Sequence, residues 1–186
     1  EALSLADVLE YRQRTRSFDV FGWIKPASYN LTAPGPPLFL NGVEVTPFLA
    51  NSLGVNPRVG QWYRDTETVP VAVISDALWL RLGADPGMVG KTITLGGRIY
   101  TVAAVMPPGF RLPYWAPWSD SRIDVWLPLD PLGRGQNRDE NRHFFCYARL
   151  RPGVTRAEAE AEVKRVAADI AKRDPVARQL YTARVD

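Results

Sequence analysis

Between Thr92 and Leu95 polar and apolar residues alternate, and beyond Gly96-Gly97 a second β-rich run continues from Arg98 to Met106. Two such runs split by a two-residue Gly-Gly turn predict a β-hairpin. Other segments read as clearly. Ser4 as N-cap, Asp7 in the first turn, and Leu5, Val8 and Leu9 with Arg12 predict a partly amphipathic helix to about Arg16. Phe18 to Tyr29, rich in Phe, Val, Trp and Ile, predicts a strand, and Asn30 to Pro37 a Pro/Gly loop before a second strand over Leu38–Val45. Thr46-Pro47 and Gly54 bracket a short helix. Pro57 to Thr68 reads as a polar connector containing Trp62 and Tyr63. Val69 to Ile74 reads as a buried strand, and Ser75 caps a helix over Asp76–Leu82 that Gly83 closes.

In the second half, Pro107 to Arg122 is a long loop dense in proline and aromatics, followed by a strand over Asp124–Leu129. Leu132 to Asn141, rich in Gly, Arg and Asn, predicts a mobile loop. His143 to Leu150 alternates, with Phe144, Cys146, Ala148 and Leu150 on one face and His143, Phe145, Tyr147 and Arg149 on the other. Thr155-Arg156-Ala157-Glu158 is a capping box. The helix behind it carries Ala159, Val163, Val166, Ala167 and Ile170 on one stripe, with Glu160–Lys164 and Asp169–Arg173 as four-apart ion pairs. Asp174-Pro175 ends it, and Leu180 to Val185 predicts a final strand. The expected fold class is α+β, with a lobe built from both chain ends (residues 1–54 plus 142–186) and an inserted β-rich lobe (residues 55–141).

Composition narrows the partners. In 186 residues, 46% hydrophobic content is enough for a core, and the chain is not of disordered type. A net charge of +3, with Asp and Glu interspersed among Lys and Arg, argues against a nucleic-acid partner. The single Cys146 excludes an intrachain disulfide framework and a cysteine-based zinc site. Uninterrupted apolar runs fall far short of the about 20 residues that cross a bilayer. Glu1 to Asp7 is too polar and short for a signal peptide, so the chain by itself is expected to be soluble.

Motifs for chemistry fail one by one. Gly90-Lys91-Thr92 looks like the end of a P-loop, but Asp85 stands where that motif needs glycine, and a strand follows where it needs a helix. Ser75 in Ile-Ser-Asp lacks the glycines of a nucleophile elbow and reads as a helix cap. His143 has no recognisable nucleophile or carboxylate partner, and three-residue spacing on a strand points it away from Cys146. Asp120 with Asp124, Asp65 with Glu67, and Asp139 with Glu140 match no calcium loop and read as solvated loop acids. Arg12, Arg14 and Arg16 do not share one helical face. No catalytic residue, cofactor site or metal site is therefore expected, and the chain is not expected to be an enzyme. A hydrolase with sequence-distant acids ranks last.

One loop does look functional. Phe110, Arg111, Tyr114, Trp115 and Trp118 combine aromatics and arginine in a proline-stiffened segment, the composition of interface hot spots and of platforms for sugar rings or apolar molecules. The other reading is a loop folded back, with Trp115 and Trp118 covering the edge of the hairpin.

An ordered set of segments carries a resemblance over nearly the whole chain. Tyr11 to Phe18 and the run Phe48–Val55 with Pro57 and Gly60 belong to it, as do Val73–Asp76 with Leu78-Trp79. Asp85 to Val102, Val105–Phe110 and Ala148–Thr155 complete it. Together they resemble the periplasmic core domain of MacB-type ABC transporter permeases, closest to the large permeases of soil bacteria. The resemblance implies a porter-like lobe from the chain ends, an inserted second lobe, and flanking membrane helices outside this chain. It implies an extracytoplasmic domain of an inner-membrane permease, pairing with a second copy and with an adaptor or substrate. ATP would be bound elsewhere in the protein, and this domain would relay its conformational effect in export. The alternative is a secreted carbohydrate- or peptide-binding module using residues 110–118.

Overall fold

A computed structural model describes residues 3–64, 70–112, 122–129 and 144–173. The elements are α1 (Leu5–Arg14), β1 (Phe18–Ala33), β2 (Leu38–Val45), α2 (Pro47–Ser52), β3 (Val59–Gly60) and β4 (Val71–Ile74), then α3 (Asp76–Arg81), β5 (Thr92–Leu95), β6 (Arg98–Val105), β7 (Val125–Pro128), β8 (Phe145–Leu150) and α4 (Arg156–Arg173). The fold is α+β, as expected, and its sheet is mixed. Two compact units divide the chain: residues 1–24 with 132–186, and residues 25–131.

In the first unit, Ser4 caps α1 in a full capping box: its side chain accepts from the Asp7 N–H, and the Asp7 carboxylate accepts from the Ser4 N–H. Leu5, Val8 and Tyr11 are buried. Tyr11 packs in a cluster with Val166, Ala167 and Ile170 of α4, where Leu3, Phe21 and Val163 join them. The expected α4 stripe is thus the buried one, and Ala159 is buried with it. At the other cap, the Glu158 N–H donates to Thr155 Oγ1 while the Glu158 carboxylate accepts from the Thr155 N–H at 2.8 Å. Of the two expected ion pairs, Glu160–Lys164 forms at 2.6 Å. Asp169 meets Arg14 at 2.5 Å and Lys172 at 3.2 Å, and the Arg173 side chain lies outside the described residues. The first half of β1 runs antiparallel to β8, from Phe18 opposite Leu150 to Ile24 opposite Phe145. The two faces of β8 are less distinct than alternation suggests, since Ala148 is exposed.

The second unit is organised by strand closure. Its order is β2-β7-β4-β6-β5-β1, and β1 pairs back onto β2, so six strands form a closed ring. The β2–β7 and β4–β6 pairs are parallel, whereas β4–β7, β5–β6 and β1–β5 are antiparallel. Leu31, Leu40, Ala72, Ile74, Ile93, Leu95, Val102, Val105, Val125 and Leu127 form the core cluster. The predicted hairpin is present with its turn at Gly96-Gly97, whose φ values of +55° and +81° are those a type I′ turn requires.

Closure explains two departures from the sequence expectation. β1 extends past Tyr29 to Ala33, because Leu31 and Ala33 pair with Leu95 and Thr94 of β5. Residues 25–54, placed with the chain ends by sequence, pack with the central unit instead, because β2 pairs with β7 and the second half of β1 with β5. The Pro57–Thr68 connector holds a two-residue strand, β3, on β6, and Val69 lies outside the described residues. So do the expected loop at 132–141 and the expected strand at 180–185.

Candidate functional site

The aromatic segment begins inside the second unit. Pro107-Pro108-Gly109 turns the chain after β6, and Phe110 then lies half-buried against Trp126 of β7, ring centroids 5.5 Å apart. Trp62 from the connector meets both rings edge-on, at 6.3 Å from Phe110 and 6.4 Å from Trp126. Its indole N–H donates to Val55 O at 3.0 Å. Tyr63 beside it is buried, its hydroxyl donating to Leu127 O at 3.1 Å and lying 3.4 Å from Val45 O, so one phenol ties β2 to β7. Burial, with the Glu44 charge adding to it, keeps that phenol protonated well above the ordinary tyrosine range. Trp126 is 1% exposed, and its indole N–H finds no acceptor among the described residues.

Of the five predicted contact residues, Phe110 is therefore packed inward and Arg111 is exposed. Tyr114, Trp115 and Trp118 lie outside the described residues. Leu112, which follows Arg111 in sequence, is buried. Sequence reading did not connect Phe110 with Trp62 and Trp126. The three rings sit in a connector, a loop and a strand, and only strand pairing across the ring brings them together.

The P-loop look-alike resolves in atomic terms. The Asp85 carboxylate accepts the Gly87 N–H at 2.8 Å and pairs with the Lys91 ammonium. Those two contacts hold its carboxyl below the usual aspartate range, Lys91 contributing most. The N–H and the ammonium that a phosphate would need are thus committed to a carboxylate of the chain itself. Trp79 fixes this turn by donating its indole N–H to Asp85 O at 2.8 Å.

Other candidate groups have structural roles. Ser75 caps α3 by accepting from the Leu78 N–H at 3.0 Å. Cys146 is a half-buried residue whose thiol is pushed up to about 12, chiefly by burial, which suppresses the reactive thiolate. Asp124 accepts from the Asn41 N–H at 3.0 Å and meets Arg81 at 3.3 Å. Burial raises its carboxyl, and those two partners act against the rise. His143, Asp120, Asp65, Glu67, Asp139 and Glu140 lie outside the described residues. Among the described residues no three metal-ligating side chains converge, and no helix is long and apolar enough to cross a membrane.

The three arginines of the α1 region diverge as their spacing dictates. Arg12 stacks its guanidinium 5.6 Å from the Trp23 ring, Arg14 bridges Glu10 and Asp169, and the Arg16 side chain is exposed. They form no single patch.

Comparison with known proteins places this fold. The structure is similar to the periplasmic region of MacB from Actinobacillus actinomycetemcomitans, with a TM-score of 0.68 at 13% identity, covering 97% of this chain and 85% of that one. It is also similar to the extracellular domain of the noncanonic ABC-type transporter YknZ from Gram-positive bacteria, with a TM-score of 0.67 at 10% identity, covering 94% and 85%. At such identities these likenesses speak to the fold. No curated protein matches the sequence. The sequence does match the MacB-like periplasmic core domain family over residues 2–166, nearly its full length, and the chain belongs to that family.

Proposed function

We propose that this domain is a non-catalytic relay in a bacterial inner-membrane ABC permease, passing ATP-driven conformational change to export substrates or partner proteins. The observation that carries the proposal is the family match across residues 2–166. It makes the chain the periplasmic core domain of a MacB-like ABC transporter permease, an extracytoplasmic module. The remainder is inference from chemistry. The nucleotide look-alike at Lys91 is neutralised by Asp85, and Ser75, Asp124 and Cys146 are each engaged or suppressed as reactive groups. Such a domain acts by docking and moving.

In this reading the permease works as a homodimer, with an adaptor or cargo meeting the periplasmic domains, and membrane helices flank the chain. A porter-like lobe drawn from the chain ends would move against the inserted β-rich lobe. Phe110, Arg111, Tyr114, Trp115 and Trp118 are the proposed contact residues. The test is made in the full-length permease reconstituted in vesicles. Excising residues 3–173 should leave ATP hydrolysis measurable and abolish export. Undiminished export from that deletion sinks the relay, as does turnover of any substrate by the purified domain.

A further inference from the structure

The link between α1 and β1 is only Thr15–Ser17, a length that elsewhere serves as a hinge. Here both amides that leave the helix are captured. The Arg16 N–H donates to both carboxylate oxygens of Glu162 on α4 at 3.0 Å, and the Ser17 N–H donates to Glu162 Oε2 at 2.9 Å. Glu162 is a charged residue whose side chain is only 16% exposed, with the Arg165 guanidinium 4.0 Å away. Seven residues further along α4, and so on the same face, Asp169 takes the Arg14 guanidinium at 2.5 Å. The Arg151 N–H also donates to Ser17 O at 2.9 Å, and Arg151 Nε donates to Phe18 O at 3.0 Å. Thr15 stays tied to α1 through Tyr11 O, whereas these grips on Arg16, Ser17 and Phe18 come from the continuous piece of chain that leaves β8 and forms α4.

Bonds from an ionised carboxylate to backbone amides are roughly twice as strong as neutral ones, and a single carboxylate here fixes two successive peptide units. We propose that Glu162 is a positioning residue, a latch that joins α1, the 15–17 link and α4 into one rigid body, so that a displacement of α1 arrives at α4 without being absorbed in the joint. The use of this latch in export rests on the relay reading above. The latch itself is a property of the chain and is tested on it alone.

Nitroxide labels at Ala6→Cys and Ala157→Cys, exposed positions on α1 and α4, in a Cys146→Ala background report the spread of inter-helix distances by pulsed electron resonance. Amide hydrogen exchange reports the joint directly. Glu162→Ala should broaden the distance distribution and speed exchange at Arg16 and Ser17 by about tenfold or more, the equivalent of one charge-assisted bond. Val73 and Val102 in the other unit should exchange at unchanged rates. Glu162→Gln, which keeps one acceptor oxygen, should fall between, and it decides the matter by the same readouts if the alanine variant does not fold. An unchanged distribution with unchanged exchange overturns the latch, and so does acceleration equal at Val73 and at Ser17. Failure on the isolated chain leaves the relay standing. A loosened joint with full export in the intact permease supports the latch and removes the relay through it.

Discussion

Gly60 sits in β3 with φ at +81°, and a Cβ built there would stand 2.1 Å from Ala103 O of β6. Two costs coincide: the left-handed backbone, about 1–2 kcal/mol for a residue with a side chain, and a collision with main chain that cannot rotate away. Gly54 separates them, because its φ is +69° but open space surrounds the missing Cβ. Gly54→Ala should therefore show the backbone cost alone. Gly60→Ala should lose at least about 2 kcal/mol more, since relief requires β3 to leave β6. Urea unfolding of the two variants measures the difference, and equal losses would show that the close approach carries no energy. The residue scale is also where Asp85 matters: one carboxylate at the position of a required glycine turns a nucleotide signature into a closed turn.

At the scale of elements, the two capping boxes are chemically alike but differently placed. In each the cap hydroxyl also donates to the carboxylate, at 2.6 Å from Ser4 to Asp7 and 2.8 Å from Thr155 to Glu158, but Ser4 is buried whereas Thr155 and Glu158 are exposed. Thr155→Ala should cost about 1 kcal/mol, the ordinary value of an N-cap. Ser4→Ala should cost more, because the Asp7 carboxylate and the Asp7 N–H each lose a partner in a place where water replaces it poorly. Urea denaturation followed by helical ellipticity ranks the two, and a larger loss at Thr155 would refute the burial argument. These caps, the Pro47 start of α2, the Gly-Gly hairpin and the α4 stripe were all legible in sequence, because each is encoded within a few residues. The extension of β1 to Ala33 was not, since it depends on Leu95, more than sixty residues away. The sequence placed β2 with the chain ends for the same reason: the strand that draws it into the central unit, β7, lies far along the chain. The site was legible only as composition. That Phe110 turns inward onto Trp126 is a consequence of ring closure, which no local pattern records.

For the molecule as a whole, titration offers a test that sums over both units. Burial raises Cys146 to about 12 from an ordinary 9.0 and Tyr147 to about 12 from 10.0, and it holds Tyr29 and Tyr63 above their usual range as well. All four are neutral when protonated, so between pH 9 and 12 the unfolded chain releases protons that the native chain keeps. Stability contributed by these groups is complete below pH 9 and declines as pH climbs toward their folded values. On the acid side the sign reverses. Asp19, Asp85, Glu158, Glu162 and Asp169 are held below their ordinary values by Arg149, Lys91, Thr155, the Ser17 and Arg16 donors, and Arg14 respectively. Their contribution is present above the ordinary carboxylate range and fades as pH falls through it, while Asp124, raised by burial, acts weakly in the opposite sense. The urea midpoint should therefore be flat near neutrality, fall below about pH 4, and fall again above about pH 9. Cys146→Ala isolates one contributor. It should lose less of its midpoint between pH 8 and 11 than the parent chain does, because only the parent must keep that thiol protonated. A parent midpoint that holds constant across that interval would mean that these side chains are hydrated in the native protein, and burial as the cause of their raised values would have to be abandoned.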